Sequence, residues 1–311
     1  MNEHQKTVSL VLGSGSARGL AHIGVIDVLI ARGYKIESIS GCSIGALVGG
    51  IYATGKISLY KRWLKGLDKT SVFKLLDFSF DRSGIFKGER VIDELLAIVG
   101  DYQIEDLPIK YTAVASDIDR EKEIWFTEGS LFEAIRASIS VPTIFTPHNY
   151  RSMNLVDGGL LNPVPVAPTA GDNTDLIVAV NLNARTRTAN QKNLDEGIET
   201  EENIVDSRWQ SRISKFVDRF ASDKGSQFFA SSERLNLMDM MTRSIDIMQN
   251  TIAHSKMSSY RPDVLIEVPR DLANMFDYYR SEMLINYGAA LTEHALDVWE
   301  GRQERLNHHR S

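Results

Sequence analysis

With 311 residues, 43% hydrophobic and 24% charged, the chain is long enough for one large α/β domain with helical additions or for two small domains. A formal net charge of −6 does not suggest a nucleic-acid surface, and a single cysteine, Cys42, excludes an intrachain disulfide and a multi-cysteine metal site. No stretch reaches the roughly 18 uncharged apolar residues of a membrane span, and Val8–Leu12 is too short for a secretory signal, so cytoplasmic residence is expected.

Thr7–Leu12 reads as a buried strand that runs into a glycine turn, Gly13–Gly19. A helix follows over about Leu20–Ala31, with Ile23, Ile26 and Ile30 on one face and Gly33 after its end. Ile36–Ser40 is a second strand, leading through Gly41–Gly45 into an apolar helix, Ile44–Ala53. Helices are expected at Leu59–Leu67 and Glu89–Val99, separated by a loop rich in glycine and aromatics. Ile109–Ser116 and Glu123–Phe126 read as strands joined by the charged turn Asp119–Lys122. Ser130–Ser140 is a helix stopped by Val141-Pro142, because a residue before proline avoids the α region. Asn154–Val156 is a short strand ending in Asp157-Gly158-Gly159, and Asp175–Asn183 is another.

Residues 184–206 are polar and read as a mobile connector. Helical spacing then relates Trp209, Ile213, Phe216 and Phe220, and after them Met238, Met241, Ile245, Met248 and Ile252. Asp263–Val268 is a late strand and Glu282–Glu300 a terminal helix. This alternation predicts a three-layer α/β/α fold around a mostly parallel central sheet, with C-terminal helical additions. Residues 8–183 are expected to form the core, and 184–311 a connector, helical segment and terminal strand and helix completing the same domain.

Three motifs carry chemistry. Gly41-Cys42-Ser43-Ile44-Gly45, between a strand and a helix, has the form of a nucleophile elbow: the sharp turn raises the Ser43 hydroxyl, and its flanking glycines leave room for the crossing chain. Cys42 alternates with Ser43 and is expected to point into the core as a small hydrophobe. The loop Gly13-Ser14-Gly15-Ser16-Ala17-Arg18-Gly19 violates the dinucleotide fingerprint, which wants glycine where Arg18 stands, and lacks the Gly-Lys-Ser/Thr of a P-loop. Exposed backbone N–H groups for an oxyanion, or a plain tight turn, both fit it. Asp157-Gly158-Gly159 ends a strand, as a general base or as an aspartate-initiated turn. None of the seven histidines follows a strand as a Ser…Asp…His hydrolase requires, so a carboxylate acting directly on Ser43 is the economical assignment.

Together these motifs resemble the patatin-like phospholipase family, over roughly Val8–Pro168, including the segments LAHIGVIDVL, VASDID, AIRASISVPTIFTP and VDGGLLNPVPV. The resemblance implies Ser43 as nucleophile, Asp157 as its base, and the backbone N–H groups of Gly15 and Ser16 as oxyanion donors. Gly13, Gly19, Gly41, Gly45, Gly158 and Gly159 support the three turns. Arg18 occupies the basic position of the first motif, where it orients an anionic head group or braces the loop. Many relatives carry three consecutive glycines where this chain has Ser14-Gly15-Ser16, so tighter backbone geometry or a serine hydroxyl at the edge of the hole is expected. The activity implied is hydrolysis of (phospho)lipid carboxyl esters through an acyl-enzyme, with no metal or organic cofactor and with the lipid met at a membrane periphery or taken up as a monomer. Asp157 is expected to be exposed, with a modestly raised pKa.

Two other readings remain: a Ser–His–Asp esterase or thioesterase using His254, and a non-catalytic nucleotide-binding or adaptor protein. The methionine–isoleucine stripe is expected to pack on the sheet, with a lipid-facing lid as the alternative; the aromatics around Phe73–Phe86 wall an acyl pocket or form core.

Overall fold

A computed structural model describes residues 5–76, 84–185 and 237–308, with the backbone alone at 84, 85, 237–239, 241, 242, 307 and 308. One compact unit comprises residues 1–184 and 245–311; residues 185–244 form a second, of which Arg185 and Leu237–Ser244 are described.

Among the described residues, the first unit is built on an eight-stranded sheet. Its strands are β1 (Thr7–Leu12), β2 (Lys35–Cys42), β4 (Lys110–Asp117), β5 (Lys122–Phe126), β7 (His148–Tyr150), β8 (Met153–Asp157), β9 (Leu176–Ala184) and β10 (Val264–Pro269). Parallel pairing joins β10, β9, β1, β2 and β4 in that order. β1 and β9 are buried along nearly their whole length, which is why Leu10–Leu12 and Leu176–Val180 read as apolar runs, whereas β10, at the edge, alternates buried and exposed residues. β3 (Gly84–Phe86) and β6 (Thr143–Phe145) pair separately.

The placement of the site follows from how β4 is shared. β5 pairs with residues 113–117 of β4. β2 pairs with 110–114 and β8 with 115–117, and both overlap β5, so both lie on the opposite edge. β2 runs parallel and β8 antiparallel to β4, so their C-terminal ends meet head to head: Cys42 is opposite Val114, and Asp157 is opposite Ala115. Two segments more than a hundred residues apart thereby deliver Ser43 and Asp157 to one point.

Among the described residues the helices are α1 (Ala21–Ala31), α2 (Ile44–Ala53), α3 (Ile57–Lys65), α4 (Lys69–Leu75), α5 (Glu89–Val99), α6 (Leu131–Ser138), α7 (Leu237–Ser259) and α8 (Ser281–His308). Strand alternation puts α2 and α7 on opposite faces of the sheet. A Cβ on Gly49 of α2 would meet Ile39 and Leu12, whereas Ala253 and Met257 of α7 cluster with Val11 and Ala179. α8 lies against α1, as close as glycine allows: a Cβ at Gly24 would fall 1.9 Å from the Ile285 oxygen. The result is the three-layer α/β/α architecture expected, with helices added after β9.

Local differences have local causes. The first helix begins as a 3-10 turn, Ser16–Leu20, before turning α-helical at Ala21. α4 is not among the expected elements; at seven residues it is under two turns, too short for a repeating face to stand out, and it is capped by the Asp68 carboxylate accepting from the Ser71 N–H at 2.7 Å. β3, β6 and β7 have three residues each, likewise too few for alternation to be read. Part of the aromatic loop is thus strand, and Phe86 packs on Phe145 and Phe276 while Phe73 stands 66% exposed. Trp209, Ile213, Phe216 and Phe220 lie outside the described residues. On α7 the packed face is rotated from the expected stripe: Asn250, Ala253 and Met257 are buried and Met248 is half exposed. No helix among the described residues is long and apolar enough to cross a membrane.

Candidate active site

Ser43 is the hinge between β2 and α2. Its backbone has φ 56° and ψ −125°, a conformation that costs a non-glycine residue free energy and persists only where packing imposes it. The packing is visible on either side. A Cβ at Gly45 would lie 2.1 Å from the Leu12 oxygen, and one at Gly41 would lie 2.6 Å from the Ala46 nitrogen. The Ser43 N–H is held by the Ser138 hydroxyl at 2.8 Å, which in turn donates to Val114 O at 2.6 Å. Ser138, at the end of α6, therefore ties the elbow to β4.

Asp157 ends β8 and is only 3% exposed, so the expectation of an exposed carboxylate is corrected. Its N–H donates to Ser140 O at 2.9 Å, and its Oδ1 accepts from the Gly159 N–H at 2.7 Å, the aspartate-initiated turn that the Asp-Gly-Gly sequence favours. The Cys42 thiol lies 3.8 Å from the same oxygen, so the buried cysteine touches the carboxylate as well as filling the core. Oδ2 has no hydrogen-bond partner that meets normal geometry. Burial raises the Asp157 pKa to about 6; the nearby Ser43 hydroxyl, the Gly159 N–H and the Cys42 thiol oppose the rise. Of the groups that oppose the rise, the Ser43 hydroxyl has the largest effect, so the Ser43 and Asp157 side chains are neighbours. Burial, with Asp157 adding its charge, pushes the Cys42 thiol well above its ordinary range.

The glycine loop faces the same point. Gly13 N–H donates to Val180 O at 3.1 Å, Ser14 N–H to Pro163 O at 2.8 Å and Ala17 N–H to Met275 O at 3.3 Å. Between these anchors, the N–H groups of Gly15 and Ser16 have no partner among the described residues. Ser16 sits at φ 52°, in the left-handed region that favours glycine. His22 is fully buried and bonds Gly13 O through Nε2 at 2.9 Å; burial lowers its pKa to about 4, so the neutral ring acts as a brace. Arg18, 7% exposed, donates to Arg270 O, to Asn183 Oδ1 at 2.9 Å and to Asp246 Oδ1 at 3.4 Å. With those partners it braces the loop. Gly19 packs against Ile44, and Gly158 against Val114 O and the Cys42 sulfur.

Over Ser43 lies a cavity of about 840 Å³, open mouth included. Ser16 and Ser43 form its floor, and Leu47, Tyr60, Trp63, Val72, Leu75, Leu95 and Phe276 are among its walls. Tyr278 also lines it, its ionisation suppressed by burial and by the charge of Asp157. Its described lining includes no histidine; His254 is exposed on α7, and His148 pairs with Glu133 at 2.8 Å. Among the described residues no group of three His, Cys, Asp or Glu side chains is arranged to hold a metal ion.

The structure thus brings Gly15, Ser16, Ser43 and Asp157 together and places Arg18 behind the loop rather than in the cavity. Ser138, Ser140, Asn183 and Gln249, which also hold these loops, were not singled out in the sequence. Ser138 and Ser140 lie within AIRASISVPTIFTP, a segment with no pattern of its own to mark them. Gln249 sits on a polar step of α7.

Residues 10–170 match the family model described as patatin-like phospholipase. An uncharacterized NTE family protein of Mycobacterium tuberculosis is 38% identical over 94% of this chain and 92% of its own length. Patatin-like phospholipase domain-containing protein 7 of Mus musculus is 31% identical over 58% of this chain and 14% of its own. The crystal structure of VipD from Legionella pneumophila superposes with a TM-score of 0.55 at 15% identity, covering 95% of this chain and 67% of that one, a likeness of fold. Matched over more than half its length by that model, and nearly end to end by relatives at this identity, the chain belongs to the patatin-like phospholipase family.

Proposed function

We infer that the protein is a serine acyl-hydrolase of lipid carboxyl esters, acting through a Ser43–Asp157 dyad and an acyl-enzyme. The observation that carries this reading is the buried Asp157 carboxylate, its Oδ2 unpartnered, close enough to the strained Ser43 for that hydroxyl to hold its pKa down, with Ser43 lining an apolar cavity. An acyl chain would lie along the cavity walls and its ester carbonyl over Ser43. As Ser43 Oγ bonds to the carbonyl carbon, its proton passes to Asp157, and the carbonyl electron pair moves onto oxygen. The N–H groups of Gly15 and Ser16 receive that oxyanion, a contribution of about 3 kcal/mol for a good donor. Collapse expels the alcohol or lysolipid, which leaves with the proton held by Asp157. Water then gives a proton to Asp157 and attacks the acyl-enzyme, and the fatty acid departs as Ser43 recovers its proton.

The test is hydrolysis of a short-chain nitrophenyl ester by wild type, Ser43→Ala and Asp157→Asn, with folding checked by circular dichroism. Loss of turnover in both folded variants is expected. An active Asp157→Asn protein would place the base elsewhere.

A further inference from the structure

The family match ends at residue 170, yet a side chain from α7 reaches the centre of the candidate site. Gln249 Oε1 accepts from the Ser14 hydroxyl at 3.2 Å and from Asn183 Nδ2 at 3.2 Å. Asn183 Nδ2 also lies 3.3 Å from Ser14 O, and its Oδ1 receives Arg18. One turn earlier on α7, Asp246 takes a further bond from Arg18. The place where a Gly159 Cβ would stand is 2.6 Å from Gln249 Nε2, 2.9 Å from Asp157 Oδ1 and 2.9 Å from Ser14 Oγ. The loop with the free N–H groups, the carboxylate of the dyad and α7 therefore converge above one residue that has no side chain. The Ser14 hydroxyl and Gln249 form a lock that a glycine at position 14 could not make.

Resting on the serine-hydrolase reading, we propose that Gln249 is a positioning residue: it sets the Gly15–Ser16 donors relative to Asp157 and Ser43, making α7 part of the catalytic scaffold. It acts through Ser14 and Asn183 and does not line the cavity. The donors stabilise the oxyanion and not the bound ester, so its loss falls on kcat. Misplacement of reacting groups by about 1 Å costs of order a hundredfold in rate.

The experiment compares wild type with Gln249→Met, Gln249→Glu, Ser14→Ala and the Ser14→Ala/Gln249→Met pair. It measures kcat and KM on a nitrophenyl ester, the rate at which a fluorophosphonate labels Ser43 by intact mass, and thermal melting. Gln249→Met keeps the side-chain length without hydrogen bonds; its kcat and labelling rate should fall about ten- to a hundredfold with KM unchanged. The double variant should be no slower than Gln249→Met alone, because both break one lock. Gln249→Glu keeps the acceptor, but its charge beside Gly159 should move the acid limb of the pH–rate profile upward. Wild-type kcat and labelling in Gln249→Met, losses that appear in KM, or losses that multiply in the double variant overturn the proposal. If Gln249→Met does not fold, an unshifted acid limb in Gln249→Glu overturns it. Should wild type itself escape labelling at Ser43, the hydrolase reading falls and the proposal with it; a labelled wild type beside a normally labelled variant sinks the proposal alone.

Discussion

Asp157→Asn separates catalysis from stability, with opposite signs. The carboxyl has an ordinary pKa of 3.8, and burial raises it to about 6 in the fold. Between these values the unfolded chain gives up its proton while the folded protein keeps it, so rising pH weakens the fold across this window. At ~1.4 kcal/mol for each tenfold change in proton affinity, the buried charge costs up to about 3 kcal/mol above pH 6 and nothing below pH 4. Asparagine preserves the acceptor for the Gly159 N–H and carries no charge. The variant should therefore gain stability relative to wild type as pH rises from 4 to 6, and hold that gain to pH 8. At roughly 2–4 °C per kcal/mol for chains somewhat shorter than this one, the gain is several degrees in Tm. Any steric effect of the amide is the same at every pH, so the pH-dependent part isolates the charge. Urea unfolding of both proteins at pH 4, 6 and 8 reads it. A stability difference that does not change between pH 4 and pH 8 would falsify the argument that burial of this carboxylate sets its proton affinity.

Three further outcomes follow from the same geometry. Because Asp157 must be ionised to accept the Ser43 proton, kcat/KM for a neutral ester should climb through about pH 6 and level off above it; a limb near pH 4 would mean the base is solvated. Ser138→Ala removes the acceptor of the Ser43 N–H and the donor to Val114 O, and should cost about 1–3 kcal/mol in urea unfolding as well as most of the turnover. His254→Ala should leave ester hydrolysis unchanged, since that ring is exposed on α7; a large loss would restore the Ser–His–Asp alternative.

Much of this was legible from local pattern. β1 and β9 are mostly apolar segments of strand length, and the Gly41–Gly45 turn announces its geometry because only glycine tolerates the crossing chain at both ends. The short elements escaped for the same reason the long ones did not. Three residues in β3, β6 and β7, and seven in α4, are too few for the period to repeat often enough to stand out.

The α/β alternation and the residues Ser43 and Asp157 as candidates are consequences of sequence alone, because backbone propensity, glycine tolerance and apolar spacing act over a few neighbours; the family was legible as a resemblance of the three motifs taken together. Which groups stand together is not local. The head-to-head meeting of β2 and β8 on one edge of β4, the burial that lifts Asp157 to about 6, and the rotation of α7 that brings Gln249 over Gly159 are set by long-range packing. Desolvation and register depend on what the rest of the chain places nearby, so tertiary structure alone decided them.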